Sequence, residues 1–214
     1  MKVGLALFPA TTGGAEALRA GRALGWEVVV LGPERAVPRE LDLVLLPGGD
    51  PDPLARSAQA ASPLGHSLPG FAADGGRLLG LGAGFALLCE LGLLPGSLNP
   101  NPSGRLHHGP LPCRLEQALG PWRAGTVLSL PIATRAGAYA LDPEALVDLE
   151  LEGRILLRLC GPEGEIGETW NPLGARGGVA GLRDATGRVI GLLPQLERQD
   201  VTEAAGPLLS ALIC

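Results

Sequence analysis

Aromatic side chains are scarce in this chain of 214 residues: Phe, Trp and Tyr together make up 3% of it. Any core must therefore be built from Leu, Val, Ile and Ala, and a hydrophobic content of 46% supplies enough of them for one sizeable domain. Lysine is almost missing. Of 17 basic residues, 16 are Arg and one is Lys2. With 33 Gly and 20 Pro, this points to a GC-rich genome and, more weakly, to a thermophile. No basic run interrupts a modest charge that nets to −5, which argues against nucleic acid as the main partner. No apolar run approaches the roughly 20 residues of a membrane helix. The N-terminus opens as a strand, Lys2 to Phe8, rather than as a signal peptide, so a cytoplasmic protein without a membrane partner is expected.

Metal ligands are also few. The four cysteines, Cys89, Cys113, Cys160 and Cys214, are not paired at ligand spacing, and there are three histidines. His107 and His108 are adjacent, so on a strand they would point to opposite faces. No metal and no cofactor are expected, and the thiols read as reduced and mostly buried. Asp50 and Asp52 alternate with Pro51 and Pro53, a pattern that makes a stiff turn rather than an ion site. His66 reads as a loop histidine in solvent, and His107 and His108 as surface residues ahead of a strand.

Short apolar runs alternate with helical patterns in the first half. Strands are expected at 2–8, 27–31, 41–46 and 77–81, and helices at 14–24 and 85–91, with 69–74 as the end of another. A loop rich in Pro and Asp follows Pro47-Gly48-Gly49. This βαβ rhythm predicts a doubly wound, mostly parallel α/β sheet covered on both faces. The second half is richer in strands, at 111–116, 126–130, 138–141, 154–160, 179–183 and 189–193, which predicts an antiparallel extension. A short helix at 142–149 has Asp142 as N-cap and Pro143 at its first position. Residues 184–187 form a hairpin turn, 95–112 a surface loop, and 201–213 a last helix. Without a repeat or a linker, residues 1–214 read as one domain.

Three segments carry more specific information. Leu46-Pro47-Gly48-Gly49 follows a strand. Leu79-Gly80-Leu81-Gly82-Ala83-Gly84-Phe85 joins a strand to a helix and continues through Glu90 and Gly92-Leu93-Leu94-Pro95-Gly96. A long stretch then runs through Asn171-Pro172, Val179-Ala180-Gly181-Leu182, Val189-Ile190-Gly191-Leu192-Leu193-Pro194 and Glu197-Arg198. Leu130-Pro131-Ile132-Ala133, Gly137 and Tyr139 lie between them. Together these resemble the class I glutamine amidotransferases, most closely the small glutaminase subunit of phosphoribosylformylglycinamidine synthase. The resemblance covers nearly the whole chain in order. It implies the amidotransferase fold, a subunit that makes ammonia from glutamine, and a synthetase partner that uses the ammonia and ATP to convert formylglycinamide ribonucleotide into its amidine.

The chemistry of that family needs a cysteine thiolate on a sharp strand-to-helix turn, a histidine to activate it and a glutamate to orient the histidine. Here the resemblance places Gly82 at the nucleophile position and Gln195 at the base position, and leaves Glu197 alone of the three. It assigns Gly48, Gly49 and Ala83 to the oxyanion pocket. Ala86 stands where the family has a glutamine. In place of the family's His-Gly-Glu-Gly-Asn run, which lies against the synthetase, this chain has Thr134-Arg135-Ala136-Gly137-Ala138. The departures concentrate on the site and the scaffold motifs persist. Gly82 also suits the strained backbone of an elbow, where a side chain costs roughly 1–3 kcal/mol. Cys89 lies seven residues beyond Gly82, about 10 Å along a helix, and faces the core rather than the site. Glu197, with no histidine beside it, pairs with Arg198 or caps a backbone group.

These readings imply a degenerate glutaminase subunit that is unable to hydrolyse glutamine and acts without catalysis on a phosphoribosylformylglycinamidine synthetase subunit. Two alternatives stay open: a stand-alone protein that binds a small polar or anionic ligand in the emptied pocket, where a helix N-terminus still offers N–H groups, and an enzyme with new chemistry.

Overall fold

The computed structural model describes residues 1–9, 11–49, 53–198 and 205–213. Eleven strands and six helices follow in the order β1 (Lys2–Ala6), α1 (Gly14–Ala23), β2 (Glu27–Leu31), β3 (Leu43–Leu46), α2 (Pro53–Ala61), α3 (Pro63–Ala73), β4 (Arg77–Leu81), α4 (Ala83–Glu90), β5 (Ser97–Asn99), β6 (His107–Leu115), β7 (Val127–Thr134), β8 (Ala138–Ala140), α5 (Pro143–Leu151), β9 (Ile155–Leu159), β10 (Val179–Arg183), β11 (Val189–Leu192) and α6 (Ala205–Ile213). Nine strands form one sheet in the order β2-β1-β3-β4-β11-β10-β9-β6-β7. From β2 to β11 all neighbours are parallel, and from β11 to β7 all are antiparallel. This is the mostly parallel sheet with an antiparallel extension that the pattern predicts. β5 and β8 pair separately.

The composition explains the sheet. All four residues of β3 (LVLL) are buried, as are all five of β9 (ILLRL), because helices or loops cover both faces and no alternation is needed. β7, at the edge, alternates instead. Arg158 is the one charge in β9. It is buried and held by Glu116, Glu150 and the Gly177 carbonyl. Asp142 caps α5 through the Glu144 N–H at 2.9 Å, and Pro143 opens the helix.

Several expectations need correction. The Pro- and Asp-rich loop after Gly49 largely folds as α2 and α3. Ser62 caps α3 through the Gly65 N–H at 3.1 Å and Pro63 takes the first position, so His66 sits exposed on a helix rather than in a loop. The 95–112 segment is not all loop, because β5 and the first half of β6 lie in it. Prolines hid that strand. Pro110 and Pro112 share one parity, and the Pro112 carbonyl accepts from Cys160 N on the β9 side. Their ring nitrogens thus face the β9 side, where the ladder begins only at Cys113, beyond both prolines. His107 belongs to this strand with its Nε2 buried, rather than preceding it on the surface. β7 runs on to Thr134, past the expected end at Leu130. Asp50, Asp52, Cys214 and the start of the last helix at 201–204 lie outside the described residues. Among the described residues no helix is long and apolar enough to cross a membrane.

Candidate functional site

The loops that follow β1, β3, β4, β7 and β11 meet at the carboxyl ends of the parallel strands, where open α/β sheets place their ligand sites. Gly82 is the junction between β4 and α4. Its backbone has φ 52° and ψ −108°, a conformation that favours glycine, and its N–H donates to the Leu192 carbonyl at 2.7 Å. Gly84 lets α4 approach β3, since a Cβ there would stand 2.1 Å from the Leu46 carbonyl oxygen. This sharp strand–turn–helix is the geometry in which an elbow presents a nucleophile.

The direction in which residue 82 would project a side chain is the informative feature. A Cβ built on Gly82 lies 2.7 Å from Nε2 of Gln195, and one built on Gly48 lies 2.6 Å from its Cδ. The Gln195 side chain, 1% exposed, is therefore packed between the two glycines. Its Nε2 donates to the Ala133 carbonyl at 2.7 Å and its backbone N–H to Pro131 at 2.8 Å. Its Oε1 has no hydrogen-bond partner among the described residues. The expected empty pocket is thus corrected: the space between Gly48, Gly82 and residue 195 is filled by the amide of Gln195. The cavity next to it, bounded by Gly49, Gln59 and Ala83, measures about 10 Å³, room for at most one water.

Glu197 is on the same turn. Its Oε1 accepts from the Gly48 N–H at 2.7 Å, and its Oε2 is buried without a partner among the described residues. Burial pushes its pKa up to about 7 against the opposing pull of the Gly48 hydrogen bond. Of its two expected roles the carboxyl performs the backbone cap, while Arg198 donates to Thr12 Oγ1 at 2.7 Å. The Gly48 N–H is consequently committed to Glu197 and is not a free oxyanion donor. Gly49 stands beside it, bridged to Thr11. Ala83 opens α4, whose first-turn N–H groups lack intrahelical partners.

The 134–137 segment adjoins the site through the Ala133 carbonyl. Thr134 is buried and turns inward, its Oγ1 accepting from the Ala136 N–H at 3.0 Å. Gly137 is buried too, and Arg135 alone of the three expected positions is exposed. The residue that organises the segment is Asn101, which sequence reasoning missed. Its Nδ2 donates to the Thr134 and Arg105 carbonyls, its Oδ1 accepts from the Gly137 N–H at 2.8 Å, and its own N–H donates to Arg135. Buried Asn is the signal, but burial is invisible in the string Asn99-Pro100-Asn101-Pro102. The described cysteines stay apart from this chemistry. Burial raises the pKa of Cys89 to about 12, with Arg56 opposing it, and burial raises Cys113 and Cys160 as well. Among the described residues no group of three His, Cys, Asp or Glu side chains could hold a metal ion.

Comparison with known proteins adds the family. The sequence profile of the CobB/CobQ-like glutamine amidotransferase domain matches residues 52–204. The chain is 39% identical over 206 residues to the phosphoribosylformylglycinamidine synthase subunit PurQ of Nitrobacter hamburgensis, covering 92% of this chain and 88% of that one. It is 36% identical over 205 residues to the subunit of the same name from Halobacterium salinarum, covering 92% of each. Among solved structures, PurLQS from Thermotoga maritima superposes with a TM-score of 0.80 at 22% identity, over 99% of this chain and 96% of that one. A glutamine amidotransferase from the same organism gives 0.61 at 12% identity, over 92% and 76%. At such identities these two matches speak for the fold.

Proposed function

Since the chain belongs to the CobB/CobQ-like glutamine amidotransferase family, in the branch of the PurQ subunits, we propose that it is a subunit of phosphoribosylformylglycinamidine synthase that no longer hydrolyses glutamine. It works as one domain in the cytoplasm, docked on a synthetase subunit whose ammonia entrance it shapes or covers, and free ammonia feeds the amidine-forming step. One observation carries this reading. Residues 82 and 195 face each other at contact distance on an elbow, as a nucleophile and its base must, and they are glycine and glutamine. Neither supplies a thiolate or an imidazole. Glu197, the family's orienting acid, is left to cap Gly48.

The test is amidine synthesis by the cognate synthetase, with and without this protein, on glutamine or on ammonium. Turnover on ammonium alone, increased by the protein, is expected. Glutamine-dependent turnover would overturn the proposal, and failure of the two subunits to associate at micromolar concentration would remove the docking half of it.

A further inference from the structure

The negative charge of the chain is concentrated far from Gly82 in sequence. Residues 142–170 hold eight Asp and Glu against two Arg, a net of −6, whereas the whole chain carries −5. Both arginines are engaged: Arg154 pairs with Glu152 at 3.1 Å, and Arg158 is buried against Glu116 and Glu150. Strand β9 within the stretch is buried, so its exposed charge lies on helix α5 and on the 161–170 loop. Helix α5 and the 161–170 loop both pack on the Gly177–Gly178 turn, where Leu146 Cδ2 lies 3.1 Å from a Cβ built on Gly177 and Ile166 Cγ2 lies 3.7 Å from one built on Gly178. An open groove of about 480 Å³, lined in part by Glu150, Arg158 and Ile166, runs between them.

This acidic face is also apolar. Val147 is 51% exposed, Leu151 82%, Ile166 37% and Trp170 40%. They are four of the eight large apolar side chains exposed among the described residues, gathered in 29 positions, which is more than the scattered exposure ordinary for a surface. Internal packing does not account for Val147 and Leu151, because Leu149 is buried and Leu146 half-buried on the inward side of α5. Val147 and Leu151 stand four residues apart and so share the outer side of the helix.

We infer that this face docks a basic, amphipathic helical segment of a partner protein. Apolar side chains of the segment at i, i+4 spacing cover Val147 and Leu151, and its Lys or Arg side chains meet the flanking carboxylates. The sign of the charge selects the partner. Two copies of the face would bring like charges together, and nucleic acid or an anionic lipid surface would be repelled. The inference holds whether or not the synthetase reading does.

The probe is a labelled amphipathic peptide of about 18 residues, a length of about five helical turns, with Leu on one side and Lys on the other. Fluorescence anisotropy against the full chain should show micromolar binding that weakens as NaCl rises from about 50 to 300 mM. Val147→Ser with Leu151→Ser, both on the surface, should weaken binding about 10-fold or more. Glu27→Gln, Glu34→Gln and Glu40→Gln together remove three exposed charges outside this face and should leave binding within about 2-fold. No binding, equal loss in the two variants, or equal affinity for an all-Lys peptide without Leu would each overturn the inference. So would a dimer of the chain alone that the Ser pair disperses, since that assigns the face to a second copy.

Discussion

Replacing Gly82 with Ala isolates the physical content of the elbow. The backbone at φ 52° and ψ −108° is strained for any residue with a Cβ, by roughly 1–3 kcal/mol. The new methyl would also lie 2.7 Å from Gln195 Nε2 and 3.2 Å from its Cγ. Gln195 has nowhere to retreat. Gly48 bounds it on the other side, and Nε2 is tied to the Ala133 carbonyl at 2.7 Å. Moving the amide forfeits that hydrogen bond and leaves buried polar atoms unpaired, a further loss of about 1–3 kcal/mol. The sum, about 2–5 kcal/mol, lowers Tm by roughly 4–20 °C for a chain of this size. Urea unfolding at constant slope measures it directly. A double-mutant cycle with Gln195→Ala separates the two parts. With the amide gone, Gly82→Ala should keep the strain and lose the clash, which gives a coupling of about 1 kcal/mol or more. If Gly82→Ala costs the same in both backgrounds, residues 82 and 195 do not touch as described. If it stabilises the protein, the backbone is not strained there, and both the elbow and the argument for glycine collapse.

Three further outcomes are expected. Gly82→Cys combined with Gln195→His places a thiol and an imidazole across the same contact, with Glu197 nearby. Alkylation by iodoacetamide at neutral pH should then be about 10-fold faster than for Gly82→Cys alone, because an adjacent imidazolium lowers the thiol pKa; equal rates would show that the two positions do not form a catalytic pair. Glu197 titrates near pH 7 in the fold and near 4.5 as an unperturbed carboxyl, so the folded state holds its proton more tightly. Its stabilising effect is full below pH 4.5 and is lost as pH rises to 7, a change of roughly 3 kcal/mol. Relative to wild type, Glu197→Gln should therefore gain stability across that window and level off above it, and denaturant midpoints taken from pH 4 to 8 that run parallel would refute the assignment. Asn101→Ala removes three side-chain hydrogen bonds and orphans the buried Gly137 N–H. It should cost about 2–3 kcal/mol and speed amide exchange across 134–137 before the rest of the sheet, and uniform exchange would show that Asn101 does not hold that segment.

What could be read in advance, and what could not, follows from the range of the interactions. The parallel half declared itself through local pattern: continuous apolar runs such as Leu43–Leu46 and Leu78–Leu81 need only their own composition to announce strands buried on both faces. The elbow was legible because glycine at 82 and 84 answers to backbone geometry fixed within a few residues. β6 was half hidden, since Pro110 and Pro112 forbid a strand only where a paired neighbour needs their N–H, and that the β9 ladder starts just past them, at Cys113, is a tertiary fact. The same limit applied to the site. Glycine at 48 and at 82 suggests a vacancy between them, and nothing in the residues around 195 says that the Gln195 amide folds back to fill it. That outcome depends on Ala133, 62 positions away, offering a carbonyl, and on Gly48 and Gly82 each lacking a Cβ. Space between glycines in a close-packed sheet protein is therefore expected to be re-packed rather than left open, because a buried void forfeits contacts that a neighbouring side chain can restore. In this chain the side chain that restores them is Gln195.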